Sequence, residues 1–376
     1  CDDFDPEYWR EKDRKHEYPT EFVDALARDG WLGTVIPEEY GGAGLDTLEA
    51  SIILEEITAS GAGLNGAMAC HGAMFIPRSI LNYGDEEMKE EILPELASGE
   101  KLMQCFSLTE PNAGFETTAI TTSAEREGDT YVVNGQKIWI SRVDQSDYIV
   151  LMARTTPRDE VDKRTKGITM FLVDIEEAKS QGGLEMEPIE KTASNFVHSF
   201  ELWFSDLQLS EEAVIGEKGE GFYQMLDGLN EERFVIAAEC IGLGEAAIEA
   251  GVDYASDREV FGRSIGTNQA VQHPLAEAFS RVQAAKQMVY AGASALESDA
   301  DIDVGARANM AKFLAADAAF DAADAAVQAH GGFGVAREYD VERYFREARL
   351  TRLVPITQEL VLNYVGERVL GLPRSY

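Results

Sequence analysis

The sequence predicts a mainly α-helical protein that carries a β-domain between two helical parts. Three observations support this fold class. Helical periodicity dominates residues 1–104, short runs rich in β-branched residues replace it over residues 105–210, and long alanine-rich helical patterns fill residues 211–376. We therefore expect three domains with these boundaries.

The first part is predicted to consist of helices. A start signal and apolar residues spaced by three and four predict one helix over residues 19–27. A second is expected from Thr47 towards Thr58, with its apolar residues on one side. An acidic opening predicts a third over residues 85–99.

The middle part carries the signals of an antiparallel β-domain. Residues 130–140 form two strand-like runs around Asn134-Gly135, a dipeptide typical of hairpin turns. Residues 148–153 and 167–173 are apolar and β-branched, and residues 200–204 alternate.

The last part is predicted to be a bundle of long helices. The helical pattern returns from Gly221, and its long segments are residues 234–256, Gln269–Leu296 and Val304–His330. Their high alanine content favours helix and allows close packing. Their lengths suit a helical bundle.

The charge balance narrows the function. The chain has 68 acidic and 33 basic residues, for a net charge of -35. Phosphate binding needs positive surface, which excludes nucleic acid as the main partner. The acids are scattered through apolar periodic segments, so we expect a folded protein with a carboxylate-rich surface. Such a surface suits a salt-rich cytoplasm and predicts a halophilic source; an acidic mesophilic protein is the alternative.

Other features set further limits. No stretch reaches the ~18–20 apolar residues of a membrane-spanning helix, and the opening residues lack the pattern of a signal peptide. We therefore expect a cytoplasmic protein without membrane insertion. The four cysteines are widely spaced and the five histidines lack metal-site spacing, so we expect reduced cysteines and no metal.

Five short motifs follow one another along the three parts. They are IPEEYGG at 36–42, LTEP at 108–111, NGQKIWIS at 134–141, DREVFG at 257–262 and QAHGGFG at 328–334. In this order they resemble the acyl-CoA dehydrogenase family over nearly the whole chain. The resemblance implies an N-terminal α-helical domain, a middle antiparallel β-barrel and a C-terminal four-helix bundle. It also implies that the family's first helix is missing here.

The resemblance implies FAD as cofactor and assigns residues to it. In the family, the β-domain covers one face of the flavin, so Trp139 is expected to pack near the isoalloxazine ring. Backbone and hydroxyl groups of Leu108, Thr109 and Ser141 are expected to hydrogen-bond its polar edge. Phe106 and Gly114 are assigned to the cofactor in the same way. Taken alone, Trp139 is also compatible with a core position in the β-domain.

A second set of residues is expected to bind the flavin pyrophosphate. Arg258 can donate a charge-assisted hydrogen bond, and Gly331 and Gly332 permit close approach of the backbone. In the family these groups reach the flavin of a neighbouring subunit, together with Phe261, Gln269 and Gln328, and Thr357 matches a further flavin-contacting position. A homo-oligomer, as a dimer or a dimer of dimers, is therefore expected. Without the resemblance, Arg258 is an ordinary surface charge and the glycines end a helix.

The catalytic base is displaced relative to many relatives. Their glutamate lies in a C-terminal Tyr-Glu-Gly-Thr segment, which matches residues 354–357 here and places Pro355 at the glutamate position. The isovaleryl and long-chain branches carry the base on a bundle helix, just before an arginine. Glu232 precedes Arg233 at that place and is our candidate base, with a pKa raised by burial. The alternative is that Glu231 and Glu232 are ordinary acids of a first helical turn.

Departures from the family pattern point to an atypical substrate site. Pro355 lacks the backbone N–H that, in relatives, helps to hold the thioester oxygen. Phe115 stands where relatives have a small serine, and residues 195–199 lack the arginine and serine common there. Phe115, Arg233 and Pro355 are expected to contact the substrate.

The resemblance implies oxidation of an acyl-CoA to the trans-2-enoyl-CoA, by α-proton abstraction and β-hydride transfer to flavin N5. Electrons then pass to an electron-transferring flavoprotein. The missing base and N–H leave two alternatives open: a flavoprotein of the same fold with changed chemistry, such as a desulfinase or an oxidase, and a non-catalytic flavin-binding subunit.

Overall fold

The computed structural model describes residues 1–296 and 303–374. Helices come first, a sheet follows, and long helices complete the fold. The N-terminal helices are α1 Pro6–Lys15, α2 Thr20–Arg28, α3 Thr47–Ile57, α4 Gly63–Met68, α5 Arg78–Tyr83 and α6 Glu86–Ser98. The short helix α7 Ile175–Ser180 precedes the C-terminal helices in the chain. The C-terminal helices are α8 Gly221–Asp257, α9 Gln269–Leu296, α10 Val304–His330, α11 Val341–Thr351 and α12 Gln358–Tyr364.

Local capping chemistry explains where the N-terminal helices begin. The Asp85 side chain accepts from the Met88 N–H at 2.9 Å and starts α6. Asp46 and Glu49 form a capping box at the start of α3. The sequence analysis missed α1, although Asp5 followed by proline is a start signal, and the Asp5 side chain caps the helix through the Tyr8 N–H.

The β-domain is one mixed sheet. Its strands are β1 Cys105–Ser107, β2 Ser123–Glu127, β3 Thr130–Ser141, β4 Tyr148–Arg154, β5 Ile168–Asp174, β6 Leu184–Pro188, β7 Ser199–Ser210 and β8 Val214–Ile215. They follow the order β6-β7-β3-β2-β4-β5-β8, and β1 pairs with β4 in parallel. The hydrogen bonding leaves β6 and β8 at the two ends, so the closed, fully antiparallel barrel is not confirmed. A separate two-stranded ribbon, β9 Glu259–Val260 and β10 Arg263–Ser264, follows α8.

The prediction of a turn at Asn134-Gly135 was wrong, because both residues lie inside β3. The hairpin turn lies earlier, at Gly128-Asp129, and joins β2 to β3. Asn134 instead bonds to Asp206 on the partner strand β7. A Cβ at Gly135 would lie 2.5 Å from the Thr122 hydroxyl oxygen, so close packing explains this glycine.

The long helices α8, α9 and α10 pack together and against the N-terminal helices. The predicted start of α9 and both predicted bounds of α10 coincide with the observed ones, and α8 begins at Gly221, where the helical pattern returns in the sequence. A Cβ at Gly242 would lie 2.3 Å from the Glu55 carbonyl oxygen, which shows how closely α8 approaches α3. The N- and C-terminal helices share one hydrophobic core, whereas the sheet buries a second one. A four-helix bundle as such is not confirmed.

Across residues 1–296 and 303–374, none of the helices has both the length and the apolar character that crossing a membrane requires.

Candidate active site

A cavity of about 480 Å³ lies between the β-domain and the helices α5 and α8. We call its β-domain side the sheet wall, which consists of Phe106, Leu108, Thr109, Trp139, Ser141, Lys191 and Ser199. The opposite group is the helix wall, which consists of Arg78, Ser79, Gln224, Glu232, Arg233 and Ile236.

Ten residues predicted from the sequence line this cavity. They are Phe106, Leu108, Thr109, Gly114, Phe115, Trp139, Ser141, Glu232, Arg233 and Pro355. The structure therefore gathers the candidate base, the candidate substrate contacts and the flavin-ring candidates of one chain around one space.

Seven other predicted residues lie outside the cavity: Arg258, Phe261, Gln269, Gln328, Gly331, Gly332 and Thr357. The first six are exposed. They cluster at one end of the long helices, where Tyr254 of α8 stacks on His330 of α10 with ring centroids 4.2 Å apart. Thr357 instead caps α12, and its hydroxyl accepts from the Leu360 N–H at 3.4 Å.

A β-bulge turns Trp139 towards the cavity. Between the pairs Lys137–Leu202 and Ile140–Phe200, β3 uses one residue more than β7. Trp139 takes a left-handed φ of 64° in this bulge, and its side chain is 55% exposed. The interpretation of Trp139 as a core residue was therefore wrong, since Ile140 occupies the buried position.

A buried lysine supports the loop after β1. Lys137 donates to the Leu108 carbonyl at 2.9 Å and to Glu110 at 3.0 Å. The Ile138 N–H donates to the Thr109 carbonyl at 2.9 Å. Because both loop carbonyls already accept hydrogen bonds, the polar groups that this loop has left for a ligand are mainly donors.

Glu232 is the carboxylate of the helix wall. Burial raises the pKa of Glu232 to about 7, although the positive charges of Arg233 and Arg142 lower it. Arg233 donates to the Asn230 side chain at 2.9 Å, and its buried Nε has no hydrogen-bond partner among the described residues. A carboxylate with this pKa can accept a proton near neutral pH.

Glu231 has a different environment from its neighbour. It is buried and forms an ion pair with Arg78 of α5, with Nε and Oε2 2.9 Å apart. Since α8 begins at Gly221, neither glutamate lies in a first helical turn, and that alternative was wrong.

The sequence analysis missed His71, Arg142 and Lys191, which all line the cavity. His71 Nδ1 lies 2.9 Å from Glu239 Oε1, and burial lowers the pKa of His71 and raises that of Glu239. Arg142 donates to two backbone carbonyls, each at 2.9 Å. The His71–Glu239 pair is separated by 168 residues, so no local pattern could have indicated it.

A buried lysine also holds the segment of Pro355. Lys312 of α10 donates to the Ile356 carbonyl at 2.6 Å, and burial lowers the pKa of Lys312 to about 8. Pro355 itself lines the cavity without a titratable group.

Three family models together match most of the chain. Residues 2–100 match the family model for the acyl-CoA dehydrogenase N-terminal domain, residues 105–207 that for the middle domain, and residues 219–370 that for the C-terminal domain. The chain belongs to the acyl-CoA dehydrogenase family.

Several acyl-CoA dehydrogenases resemble the chain over almost its full length. The acyl-CoA dehydrogenase FadE12 of Mycobacterium tuberculosis is 36% identical over 373 residues, which cover 98% of this chain and 93% of the relative. The structure of the glutaryl-CoA dehydrogenase glutaryl-CoA complex superposes with a TM-score of 0.90 at 29% identity, covering 100% and 93% of the two chains. Butyryl-CoA dehydrogenase from Megasphaera elsdenii gives 0.88 at 30% identity, covering 96% and 92%.

The cavity of this acyl-CoA dehydrogenase fits a flavin ring. Trp139 has a large exposed aromatic face. Soluble proteins seldom leave such a face uncovered when it is part of an apolar patch. The Ser141 and Thr109 hydroxyls can hydrogen-bond the acceptor atoms along the ring edge. Both kinds of group come from the sheet wall, as the family resemblance predicts.

Proposed function

We propose that this acyl-CoA dehydrogenase oxidises an acyl-CoA thioester to the trans-2-enoyl-CoA, with FAD as cofactor and Glu232 as base. One observation carries the proposal: Glu232, with a pKa of about 7, shares a cavity with the Trp139–Ser141 surface. Glu232 accepts the α-proton of the thioester. FAD, when bound, supplies the acceptor for the β-hydride.

The placement of the base favours the isovaleryl and long-chain branch. On the side of the cavity where other relatives carry a glutamate, this chain has Pro355. Glu232 precedes Arg233 on α8, and the positive charge of Arg233 stabilises the carboxylate form of the base. Burial opposes that effect and keeps the carboxylate basic enough to accept a proton.

Substrate contacts follow from the same cavity. Phe115 lies at the edge of the cavity, is 66% exposed and offers an aromatic surface to the substrate. The missing N–H of Pro355 removes one donor for the thioester oxygen, and losing such a donor can cost on the order of 10²-fold in rate. We therefore expect slower turnover than in relatives that keep this N–H.

FAD is expected to lie along the sheet wall, with Phe106, Leu108, Thr109, Gly114, Trp139 and Ser141 as its contacts in the same chain. The exposed cluster of Arg258, Phe261, Gln269, Gln328, Gly331 and Gly332 is expected to bind the pyrophosphate of a second subunit's FAD. The cluster lies outside the cavity, which supports separate sites for the flavin ring of one subunit and the pyrophosphate of another subunit's FAD. Thr357 is proposed as a weaker contact, because its hydroxyl already caps α12.

The remaining predictions concern the oligomeric state, the electron-accepting partner, the location and the source of the protein, and its domain boundaries. We propose a homo-oligomer, with a dimer of dimers as the expected form, and an electron-transferring flavoprotein as partner. A cytoplasmic location and a halophilic source remain predictions from composition. The domain boundaries after residues 104 and 210, the barrel and the four-helix bundle also stay proposals.

Anaerobic bleaching of the bound flavin tests the function. The FAD-loaded protein is mixed with saturated acyl-CoAs of different length and branching, and the absorbance of oxidised flavin is followed. We expect at least one acyl-CoA to bleach the flavin and to yield the trans-2-enoyl-CoA by mass spectrometry. A yellow protein that no acyl-CoA bleaches would support the non-catalytic alternative. Product analysis in air distinguishes an oxidase or a desulfinase.

A further inference from the structure

Three polar side chains form a continuous hydrogen-bonded row on the sheet wall. Lys191 Nζ donates to the Ser199 hydroxyl at 3.0 Å and to the Val197 carbonyl at 2.7 Å. The Ser199 and Ser141 hydroxyl oxygens lie 2.9 Å apart. Ser199 and Ser141 face each other as a register pair of β7 and β3, so the sheet itself fixes their spacing.

The row has a direction because its first member is a cation. A charged lysine has three N–H donors and no acceptor, so the Ser199 oxygen must accept from it. The Ser199 proton then needs an acceptor. Ser199 is only 4% exposed, and the Ser141 oxygen is its one remaining partner among the described residues.

The opposite direction is unfavourable. If Ser141 donated to Ser199, the buried Ser199 hydroxyl would accept from both neighbours and keep its own proton without an acceptor. A buried donor without a partner costs free energy. The favoured arrangement therefore runs from Lys191 through Ser199 to Ser141, and it leaves the Ser141 proton free to point into the cavity.

We propose that Lys191 is a positioning residue that makes Ser141 a hydrogen-bond donor towards the acceptor edge of the flavin. This inference rests on the proposed function and concerns the same site. Lys191 does not need to touch substrate; it acts through Ser199.

The surroundings of Lys191 suit such a role. Burial and the positive charge of Arg142 lower the pKa of Lys191 to about 8, while Asp144 raises it. The lysine is partly buried and fastened to the Val197 carbonyl, so its ammonium stays beside Ser199. Lys191 itself also lines the cavity, which adds positive charge on the sheet wall.

The test compares Lys191→Met, Ser199→Ala and the double variant in FAD-loaded protein. Methionine keeps the length of the side chain and removes the donor. We expect each variant to retain FAD, to shift the visible absorption band of the bound flavin, and to slow flavin reduction by a bleaching acyl-CoA about tenfold at unchanged KM. The double variant should be no slower than either single one, because each change breaks the same row.

Two further variants separate positioning from folding. Lys191→Arg keeps a cationic donor and should restore part of the rate and of the spectrum. Lys101→Met, which removes a lysine paired with Asp147 outside the cavity, should change neither.

A wild-type spectrum and rate in Lys191→Met would overturn the inference, as would additive losses in the double variant. Loss of FAD from Lys191→Met but not from Ser199→Ala would also overturn it, since the two variants are expected to retain FAD equally. Failure of the wild type to reduce its flavin with any acyl-CoA would contradict the proposed function instead. The spectral shift can be read without turnover and therefore tests the row independently.

Discussion

On the sheet wall, Ser141 is the end of a row of satisfied hydrogen bonds that starts at Lys191. On the helix wall, Glu232 has two neighbouring arginine charges, yet burial still raises its pKa to about 7. The sheet wall thus holds its polar groups in fixed orientations, whereas the helix wall keeps a carboxyl group close to its protonation midpoint. One side is suited to binding a cofactor and the other to moving a proton.

The strongest test of this contrast is Glu232→Gln. Glutamine keeps the size of the side chain but cannot accept the α-proton, so flavin reduction should slow at least ~10²-fold while FAD stays bound. Stopped-flow reduction with a bleaching acyl-CoA measures the change. Glu249→Gln, at an exposed position on the same helix, is the control and should react like wild type. If Glu232→Gln reduced its flavin at the wild-type rate, Glu232 would not be the base.

The pH dependence sharpens the same contrast. As the proposed base, Glu232 would act only when deprotonated, and burial raises its pKa to about 7. Flavin reduction should therefore be constant above this pH and fall about tenfold per pH unit below it. In Glu232→Gln the remaining rate of flavin reduction should no longer fall in this way at low pH. A wild-type rate that stays constant from pH 5.5 to 8 would show that another group sets the rate.

A smaller effect is expected for Glu231→Gln, because Glu231 stabilises the helix wall rather than reacting. Its ion pair with Arg78 has side chains only 17% and 11% exposed, so losing the charge should lower the free energy of unfolding by about 1–3 kcal/mol. Denaturant unfolding measures it. Glu277→Gln breaks an exposed pair with Arg281 and should cost less than about 1 kcal/mol. Equal losses in both variants would argue against a special role for the buried pair.

The smallest effect per group is expected at the outer surface, where the net charge of -35 is spread over many carboxylates. Salt screens their mutual repulsion, so the melting temperature should rise steadily from low salt to molar KCl. The pKa of the enclosed Glu232 should respond less, because buried charges are screened less. A melting temperature independent of salt would contradict the halophilic interpretation and leave the enzymatic one untouched.

The long helices could be predicted from the sequence because their signal is local and repeated. The start of α9 and both bounds of α10 match, since alanine content and period persist over many turns. The gathering of Trp139, Glu232 and Pro355 in one cavity followed from the family resemblance rather than from any local pattern.

What the sequence could not indicate depends on contacts between distant parts. Asn134-Gly135 has the composition of a turn, but bonding to Asp206 and packing against Thr122 keep it inside a strand. Glu231 and Glu232 are identical in type and adjacent, but Glu231 pairs with Arg78 on α5 whereas Glu232 lines the cavity. Lys191 belongs to the site because β7 pairs with β3, which brings Ser199 beside Ser141.

The single extra residue of β3 near Trp139 has a consequence for what this segment can tolerate. Upstream of the bulge Lys137 is buried, and downstream Ile140 is buried while Trp139 and Ser141 face the cavity. Deleting one residue there would restore regular alternation and leave Ile140 on the core face, but it would remove the bulge that gives Trp139 its left-handed backbone and turns its indole towards the cavity. The segment should therefore accept replacements of side chains far more readily than any change in its length.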